Sequence, residues 1–260
     1  MCIRDSLKTF GALGAYGMAV VTAVVAQNTQ AVHVVSPLAP ELVQAQLEAV
    51  FEDVAVAAVK IGMVANAGIA EAIAEVLTRH RPPFVVFDPV MAASTHKRLM
   101  NESDLERIRT VLLPQVSLLT PNLKEAARLL GIAQPVDEAG MRACLPALQA
   151  LGVPNVLLKG GHLADDTPDA PESTDLLATP EGVIRLSAPR IATRHGHGTG
   201  CTLSSAIAAL WPQHGLEKAT RMAKDYVHGA LLHADALQVG HGRGPLHHFW
   251  QAVHLPGQLA

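Results

Sequence analysis

Short runs of β-prone residues alternate with longer amphipathic stretches along this chain, and this alternation restricts its fold more than any other feature. The runs occupy residues 19–26, 57–62, 84–88, 116–120 and 155–159. Two of the intervening stretches place apolar residues on one helix face: Leu47, Val50, Phe51 and Val54 in one, Ile69, Ile73, Val76 and Leu77 in the other. This order predicts an α/β fold in which a central, mainly parallel β-sheet carries helices on both faces.

The second half of the chain adds a hairpin and two helices to this pattern. Residues 175–189 predict two antiparallel strands that turn at Pro180–Gly182. Helices are expected at 201–211 and at about 215–238. No stretch resembles a domain linker, so residues 1–260 are predicted to form a single domain.

Polar side chains follow the predicted strands, at the sheet edge where α/β proteins bind ligands. They are Gln27, Asn28, Asp88, Thr120, Asn122 and Lys159, with Glu125 one helical turn after Asn122, and the apolar Met63 follows the strand at 57–62. Strand ends commonly meet polar loops, and that accounts for many of these residues. Lys159 is harder to explain in this way, because it ends a strand of buried character and is followed by two glycines.

The stretch "HGHGTGC" (195–201) stands directly before a helical pattern and suggests an anion site. Gly196, Gly198 and Gly200 would allow a tight turn with positive φ, and the N–H groups of 198–201 would be free at the helix start. Free N–H groups together with the helix dipole bind anions such as phosphate. A glycine-rich turn that only caps the helix is the alternative. The polar residues at the same sheet edge favour phosphoryl transfer.

Cys201 lies where this loop becomes the helix. A cysteine at a helix N-terminus has a lowered pKa, and its thiolate could accept the proton of a hydroxyl group that attacks phosphorus. A nucleophilic role is the second possibility, although no His/Asn order typical of a hydrolase accompanies it. A small buried residue without a chemical role is the third.

Composition excludes several classes of function. The net charge of −3 and an aromatic content of 3% favour neither a basic nucleic-acid surface nor a base-stacking platform. Three widely spaced cysteines form neither a disulfide framework nor a zinc motif, and no run reaches the roughly 18 apolar residues of a membrane span. The first residues lack the apolar region of a signal peptide. The sequence therefore predicts a cytoplasmic protein without nucleic-acid or membrane partners.

These features resemble the hydroxymethylpyrimidine/phosphomethylpyrimidine kinases of thiamine biosynthesis, which have the ribokinase-like fold. The matching stretches run from about Leu7 to Phe249: "LKTFGALGAYG" (7–17), "VVAQNT" (24–29), "KIGM" (60–63), "DPVM" (88–91), "TPNLKEA" (120–126), "LLKGGH" (157–162), "HGTGCTLSSAIAA" (197–209) and "GPLHHF" (244–249). Cys201 is the discriminating position, because the related pyridoxal kinases usually carry aspartate there.

The resemblance implies an ATP-dependent kinase that phosphorylates 4-amino-5-hydroxymethyl-2-methylpyrimidine and then its monophosphate. It assigns the first-step base to Cys201 and the anion hole to Gly198, Thr199 and Gly200. It assigns ATP binding to Lys159, Asn122 and Thr193, and Mg²⁺ to Glu125 and Asp88. Gln27 would hydrogen-bond the pyrimidine ring, and Met63 would pack on it. A homodimer is also expected.

Two stretches depart from the family pattern. The family's first strand and its glycine-rich loop of the form G-x-D-x-S-G-G-A-G are absent, and "MCIRDS" (1–6) stands in front of Leu7 without a family counterpart. We therefore expect an unpaired sheet edge and weakened substrate binding. Ser94, Thr95, His96 and Lys97 replace the family's usual T-S-G-D. A pyridoxal kinase and a catalytically impaired, truncated ligand-binding homologue remain the alternative functions.

Overall fold

The computed structural model describes residues 2–91, 102–161, 163 and 172–252. Their helices are α1 (Cys2–Ala12), α2 (Pro40–Phe51), α3 (Ala67–His80), α4 (Glu102–Arg107), α5 (Leu123–Leu130), α6 (Glu138–Gln149), α7 (Thr199–His214) and α8 (Leu216–Leu232). The strands are β1 (Ala23–Gln27), β2 (Val32–Pro37), β3 (Val59–Ile61), β4 (Val85–Phe87), β5 (Leu118–Leu119), β6 (Asn155–Lys159), β7 (Glu172–Thr179) and β8 (Gly182–Pro189). Short π- and 3₁₀-helical turns lie at Ile108–Leu112, Leu113–Gln115 and Ala234–Leu237.

Six of these strands form the central sheet, in the order β3-β4-β5-β6-β7-β8. The pairings from β3 to β6 are parallel, and β7 and β8 add the predicted antiparallel hairpin at one side. The prediction of a mainly parallel sheet is therefore confirmed. Because β3 to β6 run in the same direction, their carboxyl ends meet at one sheet edge, where the predicted site residues were placed.

Helices cover both faces of this sheet and bury a core on each, as predicted. On one face α3 and α6 pack against the strands through residues such as Ile69, Phe87 and Leu145. On the other face Ile207 of α7 packs with Leu157 of β6. Helix α7 extends further than the predicted 201–211, and α8 ends at Leu232, earlier than expected. No helix among the described residues is long and apolar enough to cross a membrane.

The prediction for residues 19–26 is only partly right, because this segment does not join the central sheet. Its strand β1 pairs antiparallel with β2 in a separate two-stranded sheet, and the register shifts between Ala26 and Gln27. The Asn28 side chain closes the turn between the two strands by accepting hydrogen bonds from the N–H groups of Gln30 and Ala31. That asparagine turn and the following "VHVV" were the available sequence signals for the missed strand β2.

Helix α1 includes most of the "MCIRDS" segment and packs on α7, where Ser205 donates a hydrogen bond to Ser6 at 2.8 Å. Asp5 is only 3% exposed, and its Oδ2 has no hydrogen-bond partner among the described residues. Burial raises the pKa of Asp5 to about 6, although Lys8, Arg4 and Lys60 act in the opposite direction. The folded protein therefore holds this proton to a higher pH than the unfolded chain does. Ionisation of Asp5 destabilises the fold above about pH 6, and the penalty disappears as the pH falls towards the ordinary value of 3.8.

Replacing Asp5 by asparagine is expected to stabilise the protein at pH 8 by up to about 3 kcal/mol, because a shift of about two pKa units is worth that much. The gain should shrink at pH 5, where the wild-type carboxyl group is largely protonated. Thermal denaturation of both proteins at the two pH values measures it. Asp53→Asn, at an exposed aspartate, is the control. An equal gain for Asp5→Asn at both pH values would show that the buried charge is not responsible.

Candidate active site

A cavity of about 970 Å³ opens at the carboxyl ends of the parallel strands and continues along β3, the edge strand of the central sheet. Every site residue predicted from the sequence except Thr193 lines it: Gln27, Met63, Asp88, Asn122, Glu125, Lys159, Gly198, Thr199, Gly200 and Cys201. Residues that lie far apart in the sequence, from β1 to the start of α7, therefore face one space.

The start of α7 differs in detail from the expected glycine turn. Gly198 is the N-cap residue of α7 and has a φ of 87°, whereas Gly196 and Gly200 do not have positive φ. The prediction of positive φ is thus right for Gly198 and wrong for the other two glycines. Thr199 donates a hydrogen bond from its hydroxyl group to the carbonyl oxygen of Gly196 at 2.8 Å, which fixes the turn in front of the helix.

Gly200 is needed for a different reason, which is the close approach of two charged side chains. A Cβ atom at this position would lie 3.0 Å from the Lys159 ammonium and 3.5 Å from a carboxylate oxygen of Asp88. Because Gly200 has no side chain, the first turn of α7 can approach this pair directly. The N–H groups of a first helical turn have no acceptor within the helix, so this end of α7 attracts anions.

Cys201 lies in the first turn of α7 and is 6% exposed. It lines the cavity, and in its ionised form it is one of the groups that would favour protonated Lys159. A thiol at this end of a helix, near an ammonium group, is in the environment that favours a thiolate.

Lys159 and Asp88 form a buried ion pair at the centre of the sheet edge, with Nζ 2.6 Å from Oδ1. Burial alone would lower the pKa of Lys159, but the Asp88 and Glu125 carboxylates outweigh burial and hold it above its usual range. Burial likewise acts to raise the pKa of Asp88, and Lys159 outweighs it, so the pKa of Asp88 lies below its usual value. Both groups are therefore charged at neutral pH. Thr120 donates a further hydrogen bond to Asp88 at 3.3 Å.

Asn122 and Glu125 form a capping box at the start of α5. The Asn122 side chain accepts a hydrogen bond from the Glu125 N–H at 2.9 Å, and the Glu125 carboxylate accepts one from the Asn122 N–H at 2.8 Å. The pair thus has a structural role in addition to facing the cavity. Burial raises the pKa of Glu125 to about 7, with Asp88 acting in the same direction and Lys159 against it.

Gln27 and Met63 face the cavity from the side of the two-stranded sheet. Gln27 is the last residue of β1, and Met63 follows β3. A hydrogen bond of 2.8 Å from the Thr22 hydroxyl group to the Met63 carbonyl oxygen ties the two segments together. An amide and a thioether therefore line the same cavity as the start of α7, where a planar, nitrogen-containing ring could be held.

Thr193 lies in a second cavity of about 760 Å³, which also includes His195, Asp235 and Gln238. Its hydroxyl group donates to Asp235 at 2.9 Å and accepts from the His195 N–H at 3.1 Å. The structure thus separates Thr193 from the other predicted site residues, although it precedes the same glycine turn in the sequence.

Two arrangements at this edge were not predicted. Lys60 of β3 lines the large cavity, and the quoted motif "KIGM" was the signal that could have identified it. Asp175 accepts a hydrogen bond from the Gly160 N–H at 3.0 Å and pairs with the buried Lys224 at 2.6 Å. This second ion pair supports the turn that directly follows Lys159, and no local sequence pattern indicates it.

No cluster of three or more metal-binding side chains occurs in the described part of the chain. The Ser94, Thr95, His96 and Lys97 substitutions and His162 lie outside the described residues.

Comparison with known proteins extends the match along the chain. The phosphomethylpyrimidine kinase family matches residues 3–247, so the match begins within the "MCIRDS" segment and earlier than Leu7. The hydroxymethylpyrimidine/phosphomethylpyrimidine kinase of Salmonella typhimurium is 50% identical over 95% of this chain and 91% of its own length.

Two solved structures have the same fold. A phosphomethylpyrimidine kinase from Clostridium difficile superimposes with a TM-score of 0.75 at 36% identity, over 88% of this chain and 92% of that one. A pyridoxal kinase from Staphylococcus aureus in complex with AMP-PCP and pyridoxal superimposes with a TM-score of 0.85 at 27% identity, over 96% of this chain and 88% of that one. The fold is shared by both kinds of kinase, while the higher sequence identities are to the pyrimidine kinases. The match over nearly the whole chain confirms the resemblance seen in the motifs: this chain belongs to the phosphomethylpyrimidine kinase family.

Proposed function

We propose that this chain transfers the γ-phosphoryl group of ATP to the hydroxymethyl group of 4-amino-5-hydroxymethyl-2-methylpyrimidine, and that of a second ATP to the resulting monophosphate, for thiamine biosynthesis. The observation that carries the proposal is a single cavity that Cys201 and the start of α7 line together with Lys159 and Gln27. Such a cavity provides a wall for the acceptor, formed by Gln27 and Met63 and called the acceptor wall below. It also provides a cation, Lys159, and the anion-binding end of α7.

In the first step the hydroxymethyl oxygen attacks the γ-phosphorus, and the bond from that phosphorus to the oxygen bridging it to ADP breaks. The hydroxyl proton passes to the Cys201 thiolate, and ADP leaves with the bridging oxygen. Gln27 holds the pyrimidine ring and Met63 packs on it. The N–H groups of Gly198, Thr199 and Gly200 and the helix dipole stabilise the charge on the transferring group.

In the second step the acceptor is a phosphate oxygen, which carries no hydroxyl proton when ionised. The same bond to ADP breaks, and a new phosphorus–oxygen–phosphorus link forms. Proton acceptance by Cys201 therefore contributes less to this step, whereas the charged and N–H groups of the cavity contribute more to stabilising negative charge.

Lys159 binds the ATP phosphates together with Asn122, and Thr193 in the second cavity contributes to nucleotide binding. Asp88 and Glu125 would hold Mg²⁺, because two carboxylates on one cavity wall match the oxygen ligands that Mg²⁺ takes beside substrate phosphates. When bound, Mg²⁺ neutralises phosphate charge.

We further assign the protein to the cytoplasm as a homodimer without nucleic-acid partners. The small number of cysteines supports the assignment to the cytoplasm. The net charge of −3 supports the absence of nucleic-acid partners. The molar mass in solution tests the dimer.

The activity is tested by following ADP release and product mass with the pyrimidine, its monophosphate and pyridoxal as separate acceptors. Both pyrimidines are expected to be phosphorylated, with kcat/KM for the hydroxymethylpyrimidine about 10-fold or more above that for pyridoxal, since a site built to hydrogen-bond one ring discriminates against another. A higher value for pyridoxal would make the protein a pyridoxal kinase. Calorimetric binding of the pyrimidine without any ADP release would make it a ligand-binding homologue.

A further inference from the structure

A second lysine faces the catalytic cavity, from the side of the acceptor wall. Lys60 lies in the edge strand β3, three residues before Met63, and its register partner in β4 is Val86. The ammonium group folds over Gly62, where a Cβ atom would lie 2.7 Å from Nζ. The glycine at position 62 thus leaves the space that the Lys60 ammonium occupies beside the acceptor wall.

The charge of Lys60 reaches the centre of the site. Lys60 lines the same cavity as Asp88 and the first residues of α7. Lys60 also opposes the burial-induced rise in the pKa of Asp5, which lies behind Gly198. An anion held in this cavity between Asp88 and the start of α7 is therefore exposed to the charge of Lys60.

The second phosphorylation requires such a cation. A phosphomonoester acceptor brings a charge of about −1.5 to −2 into a cavity that already contains the Asp88 and Glu125 carboxylates. Lys159 is already paired with Asp88 at 2.6 Å and lies at Gly200, on the side assigned to the ATP phosphates. A like-charged acceptor needs a separate positive group on its own side of the cavity.

We propose that Lys60 binds the phosphate of the acceptor monophosphate, and so makes the site accept a phosphomonoester as well as the free hydroxymethyl compound. The inference rests on the proposed two-step function. It identifies Lys60 as a residue that is needed for the second step and not for the first.

Arg4 also lines this cavity and is exposed, and Arg243 is the further cation to consider on its wall. Its guanidinium group lies beside Gly196, where a Cβ atom would be 2.9 Å away, and Arg243 is exposed. Lys60 is less exposed and is adjacent in sequence to the residues of the acceptor wall. Position and burial therefore favour Lys60 as the acceptor-phosphate ligand.

Lys60→Met keeps most of the length of the side chain and removes its charge. We expect kcat/KM for the monophosphate to fall about 10- to 100-fold more than kcat/KM for the hydroxymethyl compound, mainly through KM, because charged hydrogen bonds to phosphate have effects of this size. Lys60→Arg should restore most of the second step. Lys124→Met, at an exposed lysine of α5, is the matched control and should show no acceptor-specific loss.

Both acceptors are measured with the same protein preparation, so misfolding would reduce both activities together. Equal losses in the two steps, or a failure of Lys60→Arg to restore the second, would overturn the assignment and give Lys60 a role through Asp88. An acceptor-specific loss in Arg243→Met with none in Lys60→Met would transfer the site to Arg243. If the unaltered protein phosphorylates neither acceptor, it is the proposed two-step function that fails.

Discussion

Cys201→Ala is expected to reduce the first phosphorylation by about 10²- to 10⁴-fold, the usual contribution of a general base. The thiol lies in the first turn of α7, next to the N–H groups that we propose stabilise the transferring phosphoryl group. The second phosphorylation should lose much less, because an ionised phosphate acceptor has no proton to give up. Steady-state assays with the hydroxymethyl compound and with the monophosphate provide the two values.

The matched control for this change is Cys144→Ala. Cys144 is also buried in a helix, but its thiol donates a hydrogen bond to the Met141 carbonyl oxygen at 3.2 Å and does not line the cavity. This control should change stability without a preference for either step. If Cys201→Ala slows both steps by the same factor, the thiol shapes the anion site and is not the base.

Lys159→Ala is expected to lower kcat by about 10²- to 10³-fold and to weaken ATP binding, while the pyrimidine still binds. Removing a preorganised charge from a transferring phosphoryl group has effects of this size. The change should also cost about 3–5 kcal/mol of stability, because it leaves the buried Asp88 carboxylate without its partner. Nucleotide titration calorimetry and thermal denaturation separate the two losses.

The combination of Lys159→Ala with Asp88→Asn tests the electrostatic origin of the stability loss. The double variant removes both charges, so its melting temperature should recover towards that of the wild type while its activity stays low. Unchanged nucleotide affinity and normal turnover in Lys159→Ala would remove this lysine from the site.

The sequence predicted the sheet edge well because strand ends carry a local signal. Asp88, Asn122 and Lys159 each end or follow an apolar run, and parallel strands bring such ends together without knowledge of the tertiary contacts. The glycine turn before Cys201 could be predicted for the same reason. Its glycines and threonine and the helical pattern that follows them lie next to one another in the sequence.

Properties that depend on distant neighbours could not be predicted in this way. A glycine is needed at position 200 because Lys159 approaches it closely. An argument from local backbone conformation cannot predict this contact. The burial of Asp5 depends on the packing of α1 against α7. The separation of β1 from the central sheet depends on its pairing with β2, and an apolar run alone does not reveal its partner.

The division of the strands between two sheets gives the two halves of the cavity different rigidity. Gln27 belongs to the two-stranded ribbon β1–β2, in which no residue is fully buried, whereas Asp88 directly follows β4, whose three residues are all buried between helix layers. A two-stranded ribbon has little stability of its own and opens at a lower free energy than a central strand. We therefore expect the side that we propose for the pyrimidine to open more readily than the side that we propose for the nucleotide phosphates.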